Sequence, residues 1–208
     1  MKMKKGVKYI IGAIITGIVL YCSVYFRPLD QKLSGEQEIS FDARAFVDGI
    51  WEHDLFAVYD SATDLGILLD QLEADPANTF QRKAKALGIG NIGYFRVKGE
   101  GSVLSVNENN VMLQVGDRII EIQTEFIFGN AVRDASGLIQ VNDYDKTSDF
   151  NLISETINDK IREKVIPGFR ATVEVGNRVI FHGAIELNKA HLNLSQPEVI
   201  PVSLQILP

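Results

Sequence analysis

Two short groups of polar residues near the middle of the chain have the side chains that a sugar-binding site uses. Arg133 and Asp134 come first, and Asn142, Asp143 and Tyr144 follow after a Ser-Gly turn and the apolar stretch LIQV. Arginine donates hydrogen bonds from a rigid fork, carboxylates and amides bond to neighbouring hydroxyls, and an aromatic ring offers an apolar face for stacking. If the stretch between the groups forms a hairpin, they face each other, and we predict a ligand-binding site there.

Structural and catalytic roles are the alternatives for this region. Arg133 and Asp134 can form an internal ion pair, while Asn142 or Asp143 can form an Asx turn that helps to begin the next helix. Carboxylates chosen from Asp134, Asp143 and Asp145 also have the chemistry of a glycan or ester hydrolase, which needs two acids across one cleft. The sequence leaves these alternatives open.

Other candidate catalytic and metal-binding patterns have unsuitable spacing. The consecutive residues Glu52, His53 and Asp54 fan round a helix by about 100° each and cannot converge on one ion. His182 and His191 are nine residues apart, with no carboxylates at ligand spacing. The sequence has no strained serine elbow of the G-x-S-x-G type, and its glycines between residues 88 and 101 precede strands rather than open a helix. We therefore predict no metal, no cofactor and no catalytic residue set.

Three helices are predicted between residues 40 and 88. Ser40 is a plausible N-cap for the first helix, and leucines at helical spacing from Leu65 to Leu72 mark the second. The third begins with Asp75 as its cap and Pro76 at its first position, and ends before Gly88.

The period of the apolar residues changes from 3.6 to 2 at residue 89. Strand-like segments broken by GEG, ENN, GD and SG follow, then one helix with apolar residues from Phe150 to Val165. Two strands, ATVEV and RVIFHGAIEL, are predicted to join at Gly176-Asn177, and the proline-containing tail is predicted to run along the surface. We predict an α+β fold: an N-terminal helical segment, then a five-stranded Greek-key barrel of the oligonucleotide/oligosaccharide-binding type over 89–208, with one helix between strands 3 and 4. An open sheet with the helix on one face gives the same order.

The first 27 residues have the pattern of a membrane anchor or signal segment. Four lysines precede the uncharged stretch 9–26, whose eighteen residues cover about 27 Å as a helix and are just long enough to cross a hydrocarbon core. The basic flank stays in the cytoplasm, so we predict a tether at 28–39 and one extracytoplasmic domain at 40–208. An uncleaved signal anchor, lipidation at Cys22 and simple secretion all export that domain. Tyr21 stands where a lipidation signal has a small residue.

Charge and cysteine content limit the possible partners. Four of the 21 basic residues and none of the 27 acidic residues lie before residue 27, which leaves the remainder near −10. No basic run remains to follow a phosphate backbone, so nucleic acid is not an expected partner. Cys22 is the only cysteine, so the domain folds without disulfides.

Several segments carry a resemblance to a known family. They are PLD at 28–30, FDARAFVDGIW at 41–51, FRVKGEGSV at 95–103, GNAVRDASGLIQVNDY at 129–144 and the helix through Ile157-Asn158. In these the chain resembles the bacterial predicted periplasmic lipoproteins of unknown function, whose genes often neighbour sugar ABC transporter genes. The resemblance implies an envelope lipoprotein linked to carbohydrate uptake, and it brings no catalytic residues.

The expected function is that of a membrane-anchored extracytoplasmic accessory or binding protein rather than an enzyme. Its expected partners are the cytoplasmic membrane, through residues 9–26, and a sugar transporter component or a small carbohydrate. An envelope hydrolase is the alternative. A scaffold protein would instead expose an apolar patch.

Overall fold

The computed structural model describes residues 5–23, 41–86 and 90–208. The chain divides into two units, residues 1–41 and 42–208. In the first unit, helix α1 covers Lys5–Ser23. Within the described residues, no helix has both the length and the apolarity needed to cross a membrane. The tether predicted at 28–39, the end of the segment predicted at 9–26 and the side chain of Cys22 lie outside the described residues.

Aspartate caps begin three of the helices in the second unit. Asp42, Asp64 and Asp75 each accept a hydrogen bond from the backbone N–H three residues later, which satisfies a donor that the first turn leaves free. The predicted cap Ser40 lies outside the described residues, and Asp42 caps the first of these helices. The helices are α2 Ala43–Ile50, α3 Phe56–Asp60, α4 Leu65–Ala74 and α5 Pro76–Lys83, with a π-helical turn at Trp51–Leu55 between α2 and α3.

Helix α5 ends earlier than its sequence pattern predicts. The helix was predicted to end before Gly88, but Ala84 is already extended and Lys85 forms a β-bridge with Tyr94. Residues 87–89 lie outside the described residues. The backbone pairing at residue 85 therefore outweighs the local helical pattern.

Six strands form one mixed sheet in the described part of the chain. Its order is β1-β2-β3-β4-β6-β5, and a further pairing of β2 with β5 closes five of the strands into a ring. The α+β class is therefore confirmed, although the sheet has one strand more than predicted. The strands are β1 Thr63–Asp64, β2 Ile92–Val106, β3 Asn110–Val115, β4 Arg118–Gln123, β5 Arg178–Asn188 and β6 Glu198–Leu207.

Strand β2 pairs with β1, β3 and β5, and two of its glycines let other groups approach it closely. Its first part pairs with β5 and its end pairs with β3, with the change of partner at Ser102. A Cβ at Gly99 would lie 2.7 Å from the Phe181 ring, and one at Gly101 would lie 2.7 Å from the Gln114 carbonyl oxygen. The sequence GEG is thus the bend of a continuous strand and not a turn between strands.

The core lies inside the ring of strands and extends onto helix α4. Inward-facing residues of the strands, such as Phe95, Ile122 and Phe181, pack with the buried leucines of α4. Arg118, at the start of β4, bonds to Asp70 and Glu73 of the same helix. The leucine face predicted for α4 is confirmed.

Two strand predictions near the C-terminus are wrong. ATVEV is a series of turns after a helix, because the N–H groups of Ala171 and Val173 bond back to Pro167 and Phe169. The tail is not a surface segment but strand β6, which pairs with β4 and β5. Pro201 fits there because it lies opposite Gly183, where the register shifts.

Three helices occupy the described connection between β4 and β5, where one was predicted. They are α6 Ala131–Ser136, α7 Thr147–Lys160 and α8 Ile166–Arg170, and a π-helical turn at Ile161–Val165 joins α7 to α8. The predicted apolar face is confirmed for Phe150, Ile153 and Ile157 of α7 and for Ile161 of the π-helical turn, which are all buried.

Two glycine substitutions test this packing. A Cβ at Gly183 would clash with the carbonyl oxygen of Ile200 in the neighbouring strand, whereas a Cβ at Gly49 meets nothing within 4 Å. We expect Gly183→Ala to lower the free energy of unfolding by about 1–3 kcal/mol. Gly49→Ala should raise it by about 0.5–1 kcal/mol, because alanine is the better helix former. Urea denaturation measures both, and equal effects would contradict the close approach of β5 and β6.

Candidate functional site

The predicted site residues Arg133 and Asp134 lie on a buried helix and not on a hairpin. All six residues of α6 are buried, and Gly137 ends the helix in the left-handed conformation, with φ +69°. The LIQV stretch leads into a short 3-10 turn at Val141–Asp143 instead of forming a strand. The hairpin prediction is wrong because a helix buried on every side has no amphipathic pattern from which to recognise it.

Arg133 and Asp134 form an ion pair that is almost fully withdrawn from solvent, with 3% and 4% of each residue exposed. Arg133 Nε donates to Asp134 Oδ1 at 2.7 Å, and Arg133 Nη1 donates to the Phe150 carbonyl oxygen at 2.9 Å. The guanidinium carbon lies 3.5 Å from the centroid of the Phe150 ring. Asn130 donates to the second oxygen of Asp134. The internal ion pair considered from the sequence is therefore present.

Neighbouring elements hold α6 through its backbone carbonyl groups. Tyr59 Oη donates to the Val132 carbonyl oxygen at 2.8 Å, and Arg96 Nη1 donates to the Ser136 carbonyl oxygen at 3.2 Å. Burial raises the pKa of Tyr59, so its hydroxyl remains protonated as a donor. Helix α6 is thus fixed from α3 and β2, and it presents Arg133 towards α7.

A cavity of about 700 Å³ lies beside Arg133, between α6, α7 and the loop 124–130. Its size is within the range of small-molecule sites, about 300–1,000 Å³. Aromatic side chains bound it at Phe150, which is buried, and at Phe128, which is 64% exposed. Its lining consists of Phe128, Gly129, Asn130, Arg133, Val141, Thr147, Phe150, Asn151, Ser154, Glu155, Asn158 and Arg162.

A polar stripe along α7 and the following π-helical turn forms one wall of this cavity. Asn151, Ser154, Asn158 and Arg162 are spaced 3, 4 and 4 residues apart, so they share a face of the helix. Asn158 is 5% exposed and donates to the Gly129 carbonyl oxygen at 2.8 Å. This stripe was not recognised in the sequence. Its signal is a set of polar residues at helical spacing directly beside the apolar face of α7.

The hydroxyl of Ser154 has no hydrogen-bond partner among the described residues. Only 7% of the residue is exposed, and it lines the cavity. A buried hydroxyl without a partner costs free energy, commonly about 1–3 kcal/mol. Rotation of the Ser154 side chain towards the cavity would let water or a ligand supply the missing partner.

Two of the predicted site residues line a smaller cavity of about 350 Å³. Asp134 and Asn142 both line it, and Val141 lines both cavities. The Tyr144 ring packs against Phe150 with centroids 5.9 Å apart, and burial raises its pKa. Asp143 is exposed and belongs to neither lining. The structure thus brings four of the five predicted residues to one region, but not across a hairpin.

Two of the histidines considered in the sequence, His53 and His182, line a third cavity of about 540 Å³ together with Asp60, and His191 does not. His182 lies on β5, with its Nε2 atom 3.8 Å from Asp60 Oδ1. Burial lowers the pKa of His182, and the Asp60 carboxylate opposes that change. In the described part of the chain, no group of histidine, cysteine, aspartate and glutamate side chains is arranged to hold a metal ion.

Comparison with known proteins identifies the family. The model of the family described as "Predicted periplasmic lipoprotein (DUF2291)" matches residues 14–205, so the chain belongs to that family. Membership supports the predicted extracytoplasmic, membrane-anchored location. An OB-fold protein from Thermotoga maritima, known from its crystal structure, is similar at 25% identity and a TM-score of 0.71. The similarity covers 81% of this chain and 99% of that one. No curated protein matches the chain.

Substitution of Arg133 tests what it costs the fold to bury the Asp134 carboxylate without its partner. We expect Arg133→Met to lower the free energy of unfolding by about 3–5 kcal/mol, because it leaves the Asp134 carboxylate buried without its cation. Arg44→Met is the matched control. The Arg44 side chain is 78% exposed and 3.6 Å from Glu163, so its loss should cost about 1 kcal/mol or less. Equal losses for the two variants in urea denaturation would show that the buried pair is not required for stability.

Acidification tests the environment of His182. Its folded-state pKa lies below the unfolded value of 6.5, so the unfolded state binds the proton more readily. The contribution of His182 to stability is therefore present above pH 6.5 and is lost as the pH falls through the folded-state pKa. Between pH values of about 7.5 and 5, wild-type protein should lose more unfolding free energy than His182→Gln. The exposed His191, replaced by Gln, is the control and should behave like wild type.

Proposed function

We propose that this member of the periplasmic lipoprotein family is a non-enzymatic binding protein that holds a small carbohydrate in the cavity beside Arg133 and serves sugar uptake as an accessory component. Its place outside the cytoplasm follows from its family. What we propose beyond this is that the ligand is a carbohydrate and that the protein serves sugar uptake.

The observation that carries the proposal is the buried, unpartnered hydroxyl of Ser154, a residue that lines the cavity of about 700 Å³. Natural proteins satisfy most buried polar groups, and the exceptions commonly mark functional sites or bound water. The Ser154 hydroxyl can both donate and accept, which matches the hydrogen bonding of a sugar hydroxyl. A cavity that held an apolar ligand would not favour such a group.

The remaining walls have the two further features of a sugar site. The amide group of Asn151 offers donors and an acceptor to hydroxyls, whereas the Asn130 amide already donates to Tyr94 and Asp134. The ring of Phe128 is largely exposed at the cavity and provides an apolar surface for the C–H face of a sugar ring. These polar and apolar groups meet at one cavity, as carbohydrate recognition requires.

The hydrolase alternative lacks comparable support. A glycosidase needs two carboxyl groups about 5–10 Å apart across one cleft. Asp134 is bonded to Arg133 and Asn130, while Asp143 and Asp145 are exposed. No geometric observation favours a reaction at these residues. We take the ring of strands to be a barrel of the oligonucleotide/oligosaccharide-binding type. We assign carbohydrate binding to the helices that follow β4.

Substitution of Ser154 separates binding from folding. Because the hydroxyl has no partner to lose, Ser154→Ala should leave the melting temperature unchanged or slightly raised. The same variant should lose most of the stabilisation that a bound sugar gives. For a wild-type protein at a hundredfold excess of ligand over Kd, that stabilisation is about 2.7 kcal/mol. A thermal-shift screen of the full chain against mono- and disaccharides measures both effects.

Ser148→Ala is the matched control on the same helix. Ser148 is exposed and bonds to Asp149, so this variant should bind sugars as wild type does. If no mono- or disaccharide raises the melting temperature of the wild-type protein, the proposal is wrong. Full retention of sugar binding by Ser154→Ala would remove the observation on which the proposal rests.

A further inference from the structure

Arg133 and Arg162 both line the cavity of about 700 Å³, and each already forms an ion pair with an acidic side chain. Arg133 is paired with Asp134, and it also donates to the Phe150 carbonyl oxygen. Arg162 bonds to Asp159 through Nη2 and to the Ile127 carbonyl oxygen through Nη1. Neither guanidinium group therefore offers an uncompensated positive charge to a ligand. Both guanidinium groups are therefore less able to form the strong bidentate hydrogen bonds by which arginine binds phosphates and carboxylates.

Glu155 is the third charged residue in the lining, and its carboxylate has no partner among the described residues. It extends the polar stripe of α7, directly after Ser154. The two arginines are balanced by Asp134 and Asp159, so Glu155 leaves the cavity and its immediate partners with a net charge of −1. An anionic ligand would meet this unbalanced carboxylate.

We propose that Glu155 is a specificity-determining residue that admits uncharged sugars and excludes their phosphorylated and uronic-acid counterparts. This inference rests on the proposed function, and it names the ligand class of the same site. An ionised carboxylate accepts hydrogen bonds from neighbouring hydroxyl groups, so it favours a neutral polyol. Glu155 is exposed where it lines the cavity, and its carboxylate repels a second anion that binds beside it.

Matched neutral and anionic sugars test the selection. The probes are glucose and galactose, each compared with its 6-phosphate and its uronic acid, in calorimetric titrations of the full-length protein. For wild type, we expect the anionic form of a bound sugar to bind at least about tenfold more weakly than the neutral form. In Glu155→Gln this ratio should shrink towards one, while the affinity for the neutral sugar changes by less than about threefold. Added salt should also reduce the wild-type ratio, because it screens the repulsion.

Glu163→Gln is the control, since it removes the same charge from the π-helical turn after α7. Glu163 is exposed, lies 3.6 Å from Arg44 and does not line this cavity. Its substitution should leave the ratio unchanged. If wild type binds neutral sugars and Glu155→Gln keeps the full discrimination, or if wild type binds the anionic forms equally well, the role of Glu155 is wrong and the proposed function stands. If no sugar of either kind binds wild type, both proposals are wrong.

Discussion

The buried ion pair between Arg133 and Asp134 determines how the described chain between β4 and β5 is arranged. Helix α6 has six residues, too few to be stable alone in water, and it carries two charges that are costly to bury. Its position therefore depends on partners from other elements. Arg133 bonds to the Phe150 carbonyl oxygen, which connects α6 to the first turns of α7. That connection places the polar stripe of α7 opposite the guanidinium group and so forms the cavity.

A buried ion pair of this kind is weak support for stability but strong support for a unique arrangement. Two apolar residues of similar size would avoid the cost of removing both charges from water. Such residues would not require the Asn130 amide and the Phe150 carbonyl group to lie where they do. We interpret the pair as the element that sets the relative position of α6 and α7. The same pair faces two cavities, because Arg133 lines the larger one and Asp134 the smaller.

The sequence predicts the elements that bury one face and misses those whose partners are distant in the chain. Leucine spacing identifies α4, and aspartate caps mark where helices begin. Helix α6 has no visible period because every side chain is buried. Strand β6 was not predicted because its one proline, Pro201, fits where it lies opposite a register shift. In the site, Arg133 and Asp134 were predicted from residue type alone. Ser154 was not, since the absence of a partner is a property of the folded chain.

The large cavity is a better candidate site than the outer face of the sheet because of how polar groups are satisfied in each place. On the sheet, Glu121 accepts hydrogen bonds from Asn110, Gln123 and Gln196, so its carboxylate is already engaged within the protein. Among the described residues, the buried side-chain atoms without partners are on Gln123, Thr124 and Ser154, and of these Ser154 lines the large cavity. Function on a common fold depends on such local chemistry and not on the fold itself. Because the fold leaves this hydroxyl buried and unpaired beside a space large enough for a small molecule, we propose that a hydroxylated ligand completes the missing interaction when the Ser154 side chain turns towards the cavity.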